Sequence, residues 1–135
     1  MAVITRNDYG AIAVNKGVIE RMMIEDLLVM QDHLLLCNKK GKLIKEKPTP
    51  FIDPDYFDAV EYSEKRGESN IRIYIIVKKG TGISHAADMI FDAVKKDFEL
   101  LRLPYPESVR VKVKGVMGDD IVKRNVEFIS KKDDR

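Results

Sequence analysis

The stretch from Asn70 to Val116 constrains this chain more than any other, because its polarity pattern changes period twice. Ile71, Ile73, Ile75 and Val77 alternate with Arg72, Tyr74, Ile76 and Lys78, the period-two signature of a half-buried strand. Lys79-Gly80-Thr81-Gly82 breaks the extended run, and Ser84 offers a hydroxyl that can cap a helix. Ala87, Ile90, Phe91, Val94, Phe98 and Leu101 then recur at three and four, forming one apolar stripe. Pro104 and Pro106 bar the helix from continuing. Val109, Val111 and Val113 return to alternation, against Arg110, Lys112 and Lys114, until Gly115. The stretch is therefore predicted as strand, turn, helix, turn, strand.

A similar unit precedes it. Tyr9 to Val14 has the pattern of a short strand, and Asn15 is a candidate N-cap. Apolar spacing predicts a helix from Lys16 to about Leu36, with Ile19, Met22, Met23, Leu27, Met30 and Leu34 turned inward. Leu28, Val29, Leu35 and Leu36 widen that stripe beyond what one sheet face needs, which marks them as candidate self-association residues. From Cys37 to Tyr56 a polar turn at residues 38–42 and three prolines, Pro48, Pro50 and Pro54, predict an extended surface loop. Phe57 to Glu64 reads as a strand that pairs as a hairpin with Ile71–Lys78.

The order of elements predicts an α+β fold, a strand-helix-strand-strand-helix-strand sandwich with two helices packed on one face of a mostly antiparallel sheet. A ferredoxin-like arrangement is the simplest closure, and a helix-strand-strand-helix-strand unit is the alternative. At 135 residues one domain is expected. It spans residues 1–118 and contains the irregular proline-rich loop 37–56. Residues 119–135 are expected to be a partly frayed C-terminal extension.

Lys and Arg number 24 against 22 Asp and Glu, a net charge of +2, so any charged partner must be read by a local patch. The sheet face turned away from the helices supplies one: Arg72, Tyr74, Ile76, Arg110, Lys112 and Lys114 are the candidate interaction surface. Its first expected ligand is a protein. RNA is the alternative, although the closely spaced aromatics of an RNA-recognition sheet are missing.

Nothing in the chain predicts chemistry. His33 and His85 have no cysteine or carboxylate at a metal-site spacing, and Gly80-Thr81-Gly82 lacks the lysine of a phosphate loop. Asp53, Asp55, Asp58, Asp119 and Asp120 do not follow a calcium-loop spacing and read as turn residues. No catalytic residue, metal or cofactor is expected, and the protein is not expected to be an enzyme. A single cysteine, Cys37, favours a reducing compartment. The N-terminal residues do not read as a signal peptide. The longest apolar run, residues 34–37, is far short of the ~20 residues a membrane span requires. A cytoplasmic location is expected, peripheral to the inner membrane face only through a partner.

Three blocks carry a resemblance. Gly10-Ala-Ile-Ala-Val-Asn-Lys-Gly-Val-Ile19 resembles the opening of the alkaline shock protein family, the small envelope-stress proteins of Gram-positive bacteria. Ile73-x-Ile-x-Val-x-x-Gly80-x-x-Ile83-x-x-x-Ala87-x-x-Ile90-x-x-x-Val94 is similar to its second block, and Val109-x-Val-x-Val-x-Gly115-Val116 to its closing block. The chain departs from that pattern in its longer proline-rich segment, in Lys79 before Gly80, and at residues 103–106. The resemblance implies a non-enzymatic protein that acts by homo-oligomeric assembly, as a dimer or larger, and with a membrane-anchored protein.

Overall fold

The structure, a computed structural model, describes residues 2–7, 10–14, 16–44 and 54–132, with side chains from residue 16 onward. Ten elements follow one another: β1 (Ala2–Asn7), β2 (Gly10–Val14), α1 (Lys16–Val29), β3 (Leu34–Leu36), a 3-10 turn (Pro54–Asp58), β4 (Val60–Lys65), β5 (Glu68–Lys78), α2 (Ile83–Leu100), β6 (Ser108–Met117) and β7 (Ile121–Lys131). The fold is α+β, with two helices packed against an open, mostly antiparallel five-stranded sheet.

β5 is the centre of that sheet. On one side it meets two short strands end to end, β4 along residues 68–73 and β3 along residues 75–77, both antiparallel. On the other side it runs parallel to β6, joined through α2 as a crossover helix must join them. β7 then pairs antiparallel with β6. Ile71, Ile73, Ile75 and Val77 of β5 face the helices and form one core with Val109, Val111 and Val113. Into it α1 puts Ile19, Met23, Ile24 and Leu27, and α2 puts Ala87, Ile90, Phe91, Val94 and Phe98. The β4–β5 turn is as tight as a hairpin allows. Arg66 and Gly67 both have positive φ, 52° and 79°, and Lys65 pairs directly with Glu68.

Several expected boundaries move. The strand predicted before α1 exists as β2, but it pairs with β1 in a separate two-stranded sheet, so the sandwich does not open with it. Tyr9 and Asn15 lie outside the described residues. The first helix ends at Val29, not near Leu36: Leu34, Leu35 and Leu36 form β3 and pair with Val77, Ile76 and Ile75. A run of consecutive leucines satisfies a two-residue period as well as a helical one, and the free edge of β5 decides between them. The loop 37–56 divides into a hairpin at residues 37–44, a stretch 45–53 outside the described residues (with Asp53 in it), and the start of the 3-10 turn. The strand expected from Phe57 begins at Val60. Within the extension 119–135, residues 121–131 are an 11-residue strand, and 133–135 lie outside the described residues. Ser84 does not cap α2; Gly82 stands at the N-cap in extended conformation with no side-chain cap bond.

Candidate functional site

The outer sheet face is only partly the open patch that alternation predicts. Tyr74 and Ile76 do point away from the helices, yet both are buried, in a second small cluster with Cys37, Leu43 and Met117. The cover is local chain. After β3 the backbone turns at residues 38–42 and returns so that Leu43 bridges Cys37. The Asn38 side chain holds this turn, its Oδ1 accepting from the amides of Lys40 at 2.9 Å and Lys42 at 3.0 Å. A tyrosine and an isoleucine side by side on a solvated face would leave apolar surface exposed, and the hairpin removes it from water. Tyr74 and Ile76 therefore leave the list of surface candidates.

The four basic candidates divide. Arg72 lies 3.5 Å from Glu61, and Arg110 and Lys112 lie 2.7 and 3.4 Å from Glu127. Partial desolvation would raise the Glu127 carboxyl, but the bonds from Arg110 and Lys112 outweigh it and hold that group below its usual range. Lys114 has no ion pair among the described residues. It emerges where β6 carries one extra residue between Val113 and Gly115 opposite Ile75 and Ile76. It then turns toward Lys40, Lys42, Lys123 and Arg124, with which it lines a cleft of about 400 Å³.

The self-association candidates scatter. Leu36 is in the core, Leu28 packs at its margin, and Leu35 is half-buried on β3, whereas Val29, the last residue of α1, is 85% exposed. Leu28, Leu35 and Leu36 border one cleft of about 450 Å³ with Ile44 and Tyr56, where the chain leaves for residues 45–53. They do not form a stripe on a helix.

Burial pushes the Cys37 thiol up to about 12 against the pull of Lys114, so the sulfur stays protonated and inert at neutral pH. His33 Nδ1 lies 3.2 Å from Thr81 Oγ1, and the His33 and His85 rings meet edge to face at 6.4 Å. That contact braces the β5–α2 turn, where Gly80 has φ +97°. No group of three metal-ligating side chains occurs among the described residues. No helix among them is long and apolar enough to cross a membrane.

Three features escape a reading of the sequence. Glu20 is buried on α1 and accepts from the Tyr62 amide of β4 at 2.9 Å. Desolvation raises its carboxyl, while that amide and Lys16 pull it back. Asp26 of α1 faces Asp97 of α2 across the helix interface. Desolvation, then the hydrogen bond and repulsion from Asp97, raise the Asp26 carboxyl to about 8. Both aspartates fall on apolar-stripe positions, three residues after Met23 and Val94, and that was the legible sign. Neither lines the clefts at β3, at β4 or on the outer face.

The third feature is β7. The opposite margin of the sheet is partly covered: Glu20 accepts from the outward Tyr62 amide of β4, and the Ile44 amide bonds the Leu36 carbonyl on β3. Among the described residues β7 pairs with β6 alone. Along it Ile121, Val122, Val126 and Ile129 are 40, 57, 37 and 42% exposed. Two glycine-dependent approaches set this region. A Cβ at Gly115 would stand 2.9 Å from Ile121 Cγ2 and 3.1 Å from the Val122 carbonyl, and one at Gly41 would stand 3.3 Å from Lys114 Cβ. Comparison of the chain with known proteins returns no matching family model, no matching curated protein and no matching solved structure.

Proposed function

We propose that this protein is a non-catalytic scaffold or adaptor that works by self-association, with β7 as the joining edge. The observation that carries the reading is the contrast between the two margins of the sheet. One is capped by a buried carboxylate and a returning chain. The other, β7, is bordered on one side alone among the described residues and carries four exposed aliphatic side chains. Such an edge is a template for strand addition.

The occupant that fits is a second copy. Antiparallel pairing of β7 with itself about Asn125 sets Ile121 against Ile129 and Val122 against Phe128, each twice across the two-fold axis. The sequence blocks Gly10–Ile19, Ile73–Val94 and Val109–Val116 support the further part of the proposal: a role in cell-envelope stress, in the cytoplasm, with a membrane-anchored partner. A buried, protonated Cys37 and a carboxylate pair away from the clefts support the non-catalytic part.

Sedimentation velocity across a concentration series tests the association. The expected result is a dimer forming in the micromolar range. Val122→Lys with Ile129→Lys should give a monomer with an unchanged circular dichroism spectrum, because each lysine would then be buried against Phe128 or Ile121 of the second copy. A wild-type chain that stays monomeric into the high micromolar range would sink the proposal.

A further inference from the structure

The cleft between the 38–42 turn and the start of β7 carries charge of one sign. Five cations line it, Lys40, Lys42, Lys114, Lys123 and Arg124, and no carboxylate does. None of the five has an ion pair among the described residues, unlike Arg72, Arg110 and Lys112 on the same face. In a chain of net charge +2 this is local segregation of charge. Holding five like charges around one concavity costs free energy that a bound polyanion would return.

The cleft is also built. Asn38 fixes the turn that brings Lys40 and Lys42 over the sheet, and Gly41, at φ +84°, lets that turn settle against Lys114. Gly115 lets β7 close in, which places Lys123 beside them. Leu43 and Ile121 supply an apolar floor.

From this we infer that the cleft binds single-stranded nucleic acid by its phosphate backbone. The cations are the complement of a phosphodiester chain, which carries one negative charge per nucleotide. They line a concavity, which a flexible strand can enter and a planar layer of lipid headgroups touches only at its rim. The lining has no aromatic platform on which bases could stack, and its cations are the groups that contact phosphates, so affinity is modest and salt-sensitive with little sequence preference. The site is distinct from the Arg72–Lys112 face, whose cations are already paired with Glu61 and Glu127.

The test is fluorescence anisotropy of a labelled mixed-sequence oligonucleotide of about 15 residues, titrated with the full chain at several salt concentrations. The expected result is micromolar binding at about 50 mM salt, with a log–log salt slope of about −3 for up to five phosphate contacts. Lys40→Glu/Lys42→Glu/Lys123→Glu should weaken binding at least about tenfold. The charge-matched Lys65→Glu/Lys95→Glu/Lys132→Glu should change it by less than about threefold. Should the first variant lose its fold, Lys40→Gln/Lys42→Gln/Lys123→Gln replaces it with the same expected direction. Equal losses in both triple variants would show a net-charge effect and overturn the site. So would no binding at about 100 µM protein in low salt. Flotation with anionic phosphatidylserine vesicles is the parallel arm; vesicle binding without strand binding also overturns the inference.

Discussion

Asp26 and Asp97 make this protein's stability depend on pH in an unusual direction. The Asp26 carboxyl is raised from 3.8 to about 8 in the folded chain, by desolvation first and by Asp97 second. An acid held above its unfolded value keeps a proton that the unfolded chain has already released. Its favourable contribution is therefore complete below about pH 4 and is lost as pH climbs through about 8. Thermal melts from pH 4 to 9 should show that decline. Asp26→Asn should flatten it and raise the melting temperature at pH 8 above wild type, with little change near pH 4. A variant that melts lower than wild type at pH 8 would show the pair to be held as an ion that helps the fold. Gly115 makes a second residue-scale claim. Gly115→Ala puts a methyl group 2.9 Å from Ile121 Cγ2, so urea denaturation should read a loss of ~1–3 kcal/mol, as for overpacking.

Among the elements, β4 and β7 show how one sheet treats its two margins. Glu20 reaches from α1 to the Tyr62 amide, and that contact satisfies a buried donor at the outward side of β4. Glu20→Ala leaves the amide without its partner and should cost ~1–3 kcal/mol, while Glu20→Gln, which keeps an acceptor, should cost less. Equal losses would mean that the carboxylate matters only as packing volume. The 37–43 hairpin is the other element with a definite job, covering Tyr74 and Ile76. A thiol reagent should modify Cys37 only when that hairpin opens. Leu43→Ala should raise the labelling rate of native protein several-fold, and an unchanged rate would assign the opening to some other segment.

Taken whole, the molecule has apolar clusters on both faces of one central strand. Ile73 and Ile75 belong to the helix side, Tyr74 and Ile76 to the hairpin side, and all four are buried. β5 thus ties the two together, and losing either should loosen the whole. Ile75→Ala and Ile76→Ala should each cost ~2–5 kcal/mol in urea denaturation, with coincident transitions by circular dichroism and by Cys37 labelling. A much smaller loss for Ile76→Ala, or labelling well before the main transition, would make the outer cluster an independent, weaker unit.

What the sequence determined alone lies in the 70–116 stretch. Its change from a two-residue to a three-and-four-residue period and back holds in the structure as β5, α2 and β6, with the inward residues as read. Local pattern suffices there because one face of each element is apolar and the other is not. The tertiary structure decided everything whose two faces look alike. Leu34–Leu36 fit helix and strand equally, and only the vacant edge of β5 made them β3. In residues 121–131 Val122, Val126 and Ile129 fit a helix face while Val126 and Phe128 fit a strand, and only pairing with β6 decided for β7. The alternation that put Tyr74 and Ile76 on the outer face was correct, but exposure depends on what else lies over that face. That was set by a turn 30 residues upstream, and the same fold brought the Lys40, Lys114 and Lys123 charges around one cleft. Contacts at such separations have no period in the chain, so only the folded molecule assembles them.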